Sequence, residues 1–122
     1  MSAELVAAAR PLLPLRVDTV EYNDPMVVIA GPGWSLSIAC PWRLTRAGLL
    51  VCAYGDENAA SRMARLVGRD VTEVSPQGRH EASCDPALAL TDGYLLEVFS
   101  DTDLDPWVMR LPEQTFVGAI SA

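Results

Sequence analysis

The chain has 122 residues, half of them apolar, and a net charge of −7 from 16 acids and 9 bases, with arginine but no lysine. That length suits one domain with a sizeable core, and the apolar content excludes a disordered chain. The acidity disfavours nucleic acid and anionic membrane as partners, because it repels phosphate, and leaves a basic protein as the electrostatically easier one.

The first ten residues have no basic region ahead of a long apolar run, so no export signal is expected, and no stretch reaches the ~20 apolar residues of a membrane helix. A cytoplasmic protein with reduced Cys40, Cys52 and Cys84 follows as the expectation. Ser2 and Glu4 suit a short helix that Pro11 and Pro14 stop, though the same segment also reads as a frayed terminus. Arg16 to Tyr22 mixes β-branched and polar residues as a half-buried strand does. An apolar strand, Met26 to Ala30, leads into the turn Gly31-Pro32-Gly33. Trp34-Ser35-Leu36-Ser37-Ile38 then alternates with period two, which predicts a strand with one buried face. Leu49 to Tyr54 is a further strand.

The strongest helix signal runs from Asp56 to Val67. Asp56 is placed as the N-cap, Ala60, Met63, Ala64 and Val67 form one apolar stripe, and Gly68 ends it. Strands resume at Arg69–Ser75, Ala87–Thr91 and Tyr94–Phe99, the last two joined at Asp92-Gly93. Trp107–Leu111 and Thr115–Ile120 complete the chain, after the acidic loop Asp101–Asp105.

The two halves repeat one order. Val17 and Val20, Asp24-Pro25, Trp34-x-Leu36-x-Ile38 and Trp42-Arg43-Leu44 recur as Val71 and Val74, Asp85-Pro86, Tyr94-x-Leu96-x-Val98 and Trp107 with Arg110-Leu111. A single domain, 1–122, is therefore expected to be α+β and mainly β. Its pseudo-repeats, about 15–44 and 69–111, are antiparallel hairpin units joined by a linking strand and helix at 49–68. They are expected to form a sheet, sandwich or partly open barrel with one covering helix. The Val71-x-x-Val74 pair, the Asp92-Gly93-Tyr94-x-Leu96-x-Val98 hairpin and the acidic loop ending in Trp107 resemble a family of small actinobacterial proteins with no assigned activity. The resemblance covers residues 15–120. Some similar proteins sit among toxin–immunity genes, which implies partner binding.

No residue set predicts catalysis. His80 and Cys84 share a polar loop at a spacing that builds no Cys–His pair, and Cys40, Cys52, His80 and Cys84 lack the close ligand pairs of a zinc site. Asp101, Asp103 and Asp105 open like a calcium loop, but Pro106 and Pro112 stand where glycine and glutamate are needed. Neither metal nor cofactor is expected. The predicted function is a non-enzymatic interaction domain that binds a basic partner through Asp101, Asp103, Asp105 and Trp107, in the manner of an immunity protein. The alternative is a small-ligand domain whose pocket is lined by Trp34, Trp42 or Trp107. Exposed strand edges also raise the expectation of a homodimer.

Overall fold

The alternation at Trp34–Ile38 becomes a strand whose Trp34, Leu36 and Ile38 are buried while Ser35 and Ser37 face outward. The same period-two burial recurs through the chain and produces two antiparallel sheets around one core in this computed structural model. The structure describes residues 2–77, 85–101 and 105–118. In chain order it has α1 (Ser2–Ala9), a 3₁₀ turn at Arg10–Leu12, β1 (Leu15–Arg16), β2 (Thr19–Asn23), β3 (Met26–Gly31), β4 (Trp34–Ile38), β5 (Trp42–Arg46) and β6 (Leu49–Ala53). The second half has α2 (Ala59–Met63), a 3₁₀ turn at Ala64–Leu66, β7 (Asp70–Pro76), β8 (Pro86–Leu90), β9 (Tyr94–Val98), β10 (Trp107–Arg110) and β11 (Thr115–Val117). The fold is mainly β, and its two sheets do not close into a barrel. Among the described residues no helix is long and apolar enough to cross a membrane.

One sheet runs β1-β7-β8-β9-β5-β6 and the other β11-β10-β4-β3-β2. Each half therefore builds a three-strand meander in one sheet and sends its last hairpin to the other. The registers agree in detail. Trp42 faces Val98 and Leu44 faces Leu96, as Trp107 faces Ile38 and Met109 faces Leu36. The two entry strands meet about the local axis. Arg16 faces Asp70, Leu15 faces Val71, and the Val17 N–H donates to the Arg69 carbonyl at 2.9 Å. Exchange of hairpins makes each half complete the other's sheet, so neither half encloses the core alone.

The repeat is longer than the sequence motifs suggest. The strand at 49–53, read as a linker, is the last strand of the first half, and α1 holds the place that α2 holds in the second. Two equivalences change. Ile29 faces Leu36 as Leu88 faces Leu96, which sets Val27, not Pro25, at the place of Pro86. Leu44 matches Met109, so Arg43-Leu44 and Arg110-Leu111 are not counterparts. The true shared pair is Pro41-Trp42 and Pro106-Trp107.

The second helix differs from its predicted form. It starts at Ala59 with Asn58 as N-cap and buries Ala59, Met63 and, through the 3₁₀ turn, Leu66. Ala60 and Ala64 are exposed and Val67 is 48% exposed. Asp56 instead uses its carboxylate on the Ala53 N–H at 2.8 Å, closing the turn before the helix. The buried residues keep the helical spacing i, i+4 and i+7, but their stripe is turned about a quarter turn from the predicted one, and the 3₁₀ tail sets Leu66 over Met63. Two glycines are fixed by close approach. A Cβ at Gly31 would run into the Arg16 carbonyl and the Trp34 indole, and one at Gly118 would enter the Trp107 ring.

Candidate functional site

The exchange of hairpins gathers most chain crossings at one end of the two sheets. β4 and β9 both finish there, and residues 39–41 lie beside 99–101 and 105–106. The Ala39 N–H donates to the Pro106 carbonyl and the Phe99 N–H to the Pro41 carbonyl, each at 2.8 Å. The β2–β3 turn at Asp24-Pro25 and the 54–58 connection reach the same end, since Asn23 faces Met26 and the Tyr54 N–H donates to the Trp42 carbonyl.

These connections carry Asp24, Asp56, Glu57, Asp101 and Asp105, with Asp85 beside them just ahead of β8; the described arginines that reach this end are Arg43, whose guanidinium lies 5.2 Å from the Phe99 ring, and Arg62, which lines one cavity with Asp56 and Glu57. All of these acids except Asp85 are exposed. Of the ion pairs among the described residues, Arg16–Asp18 at 3.2 Å and Arg69–Asp92 lie at the other end, while Arg43–Glu97 at 2.8 Å sits one residue in from the Trp42–Val98 pair that closes this one. The opposite end carries compensated charge, with Arg46 also donating to the Asp92 carbonyl at 3.1 Å. The molecule is therefore electrically lopsided, with a negative end built from connections of both halves.

Asp85 has a different task from its neighbours. Its carboxylate accepts the Ser100 N–H at 2.9 Å, the Ser100 hydroxyl, and the Trp107 Nε1–H at 3.2 Å. Gln77 adds to this lock by donating its amide to the Pro86 and Val98 carbonyls at 2.6 and 2.8 Å. The lock fixes the start of the acidic loop against β8 and β10. The first half lacks it: register puts Cys40 at the place of Ser100 and Met26 at that of Asp85, and the buried Trp42 Nε1 has no hydrogen-bond partner among the described residues. Burial, then the charges of Asp85 and Asp101, push the Cys40 thiol up to about 12. Burial and Asp56 likewise push Cys52 up to about 11, against the opposing pull of Arg62 and Arg65. Both are buried free thiols that stay protonated near neutrality.

Of the residues singled out in the sequence, Asp101 and Asp105 are exposed at the acidic end, while Asp103, His80 and Cys84 lie outside the described residues. Trp107 does not join Asp101 and Asp105 as a contact residue. It is 1% exposed, because the alternation of β10 turns Trp107 and Met109 into the core. Trp34 and Trp42 are also buried, so the three tryptophans form no open platform. Among the described residues no three His, Cys, Asp or Glu side chains group as metal ligands. Asp24, Asp56 and Glu57 were missed as partners of the acidic loop. Each reads locally as a turn or helix-start residue, and only the paired hairpins bring them to one end.

No family model, curated protein or solved structure matches the chain. The family resemblance thus rests on the residues quoted for it.

Proposed function

We propose that the chain is a protein-interaction domain that acts by binding, and that it receives a basic partner on the acidic end. The supporting observation is the excess of negative charge at one end: exposed Asp24, Asp56, Glu57, Asp101 and Asp105 from both halves converge there and outnumber the arginines near them, Arg62 and Arg65, while Arg43 is spent on Glu97. Such a field steers a cationic partner and orients it before contact. Capture of a basic toxin is the more specific form of this reading, and it draws on the resemblance to proteins near toxin–immunity genes.

The test is recovery of the partner from the native host, followed by association kinetics with Asp101→Asn and Asp105→Asn combined. Asparagine tolerates the positive φ of 48° at Asp105, so the loop is preserved. The partner should be basic, and its association rate should fall several-fold at low salt, with a shallower salt dependence. An acidic partner, or an association rate unchanged in the double variant, contradicts the proposal.

A further inference from the structure

β6 ends the first sheet, and its outer edge is only partly covered. At its C-terminal half Asp56 takes the Ala53 N–H at 2.8 Å, and Arg62 donates to the Val51 carbonyl at 3.3 Å. The N-terminal half carries Leu49, 75% exposed, and Leu50, 64% exposed, more than the other exposed large apolar side chains among the described residues. Proteins ordinarily blunt such an edge with charge, proline or a covering element, because a free apolar edge is a template for another strand. Beside it lies an open cavity of about 470 Å³ lined by Leu50, Val51, Asp56, Glu57, Asn58 and Arg62. Two carboxylates and one guanidinium line it, so its net charge is negative.

We propose that residues 49–50 of β6, ahead of the Val51 carbonyl that Arg62 occupies, accept an extended segment of a basic partner as an added strand. An aliphatic side chain of that segment packs on Leu50, and a lysine or arginine enters the cavity beside Asp56 and Glu57. Main-chain hydrogen bonds supply affinity in this mode and alternate side chains supply selectivity. Charge selects this occupant over a second copy of the chain, which carries the same net −7. The proposal rests on the basic-partner reading and narrows it to one edge and one backbone conformation.

The probe is a blocked hexapeptide of alternating lysine and valine, titrated into the full chain and followed by amide NMR. The expected result is shift changes at residues 49–51 and 56–58. Affinity should fall at least tenfold for Leu50→Lys, for Glu57→Lys, and for the same peptide with alternate backbone nitrogens methylated. A glutamate–valine peptide should not bind. Equal binding of the methylated peptide overturns strand addition. So does a dimer in sedimentation that Leu50→Lys dissociates, because β6 is then occupied by a second copy. Shifts confined to Asp101 and Asp105 and indifferent to Leu50→Lys overturn the edge while leaving the acidic-end reading intact. Conversely, β6 binding that survives Asp101→Asn with Asp105→Asn upholds the edge alone.

Discussion

Replacing Asp85 by alanine removes the acceptor that holds the acidic loop. The carboxylate takes two donors from Ser100 and the Trp107 indole N–H. The Trp107 side chain is buried and cannot turn to water for a new partner. An orphaned buried donor costs about 1–3 kcal/mol, and hydrogen bonds to a charged group contribute about 1.5–3 kcal/mol each before allowance for partial exposure. Ser100 is half-buried, so water recovers part of its loss. The expected destabilisation is about 3 kcal/mol, a large share of the roughly 5–15 kcal/mol that holds a domain folded. Urea unfolding followed by circular dichroism measures it. The pseudo-symmetric indole supplies the control. Among the described residues Trp42 Nε1 has no acceptor, so Trp42→Phe loses ring area but also sheds an unpaired donor, whereas Trp107→Phe leaves Asp85 short of a donor and should cost more. In the Asp85→Ala background the extra cost of Trp107→Phe should vanish, leaving a coupling of about 1 kcal/mol. Destabilisation below 1 kcal/mol for Asp85→Ala, or no coupling to Trp107, refutes the lock.

Gly31→Ala should cost 3 kcal/mol or more, on the order of the larger effects seen for overpacking, because its Cβ meets the Arg16 backbone. Gly48→Ala meets open space and should cost only about 1 kcal/mol, for its positive φ of 82°; thermal unfolding of the two variants ranks them. Leu66→Ala should destabilise by about 2–5 kcal/mol and Val67→Ala by less than about 0.5 kcal/mol, since only Leu66 is buried. The reverse ranking in denaturant unfolding would restore the stripe Ala60, Met63, Ala64 and Val67. For the thiols, the folded pKa of about 12 at Cys40 and about 11 at Cys52 exceeds the ordinary value of 9.0. The folded state holds these protons longer, so their contribution is complete below pH 9 and fades as pH rises towards the folded values. Unfolding free energy should therefore fall between pH 9 and 11, and a Cys40→Ala, Cys52→Ala variant should show a flatter decline.

Much of the fold was legible because period-two burial is a local property. Trp34–Ile38 and Tyr94–Val98 could be read as strands from alternation alone, and both are. The recurrence of an aromatic, two aliphatic positions and a later tryptophan signalled a duplicated unit. What was hidden is long-range. Hairpin exchange depends on which sheet receives β5 and β10, and the sequence carries no mark of that destination. The Asp-Pro motif misled for a related reason. Pro25 sits in a turn while Pro86 opens a strand, so equal dipeptides occupy unequal places. The helix was legible, but its buried face is Ala59, Met63 and Leu66, because the start at Ala59 and packing of that side on the core decide the face and the apolar run alone does not. At the site, Asp101 and Asp105 were visible as a charged run. Asp24, Asp56 and Glu57 became their neighbours only through pairing between the halves. Trp107 was assigned to the surface by its proximity to that run, although strand alternation alone points it inward.

The most direct test of the acidic end is a map of where a cation settles. A short polyarginine peptide titrated into the isotope-labelled chain at low salt, with amide shifts recorded residue by residue, gives that map. The predicted result is a footprint on 24–25, 54–58, 99–101 and 105–106 that weakens with added salt. A footprint on the opposite end, around 32–33, 47–48 and 112–114, or none above the response of a neutral peptide, contradicts the account.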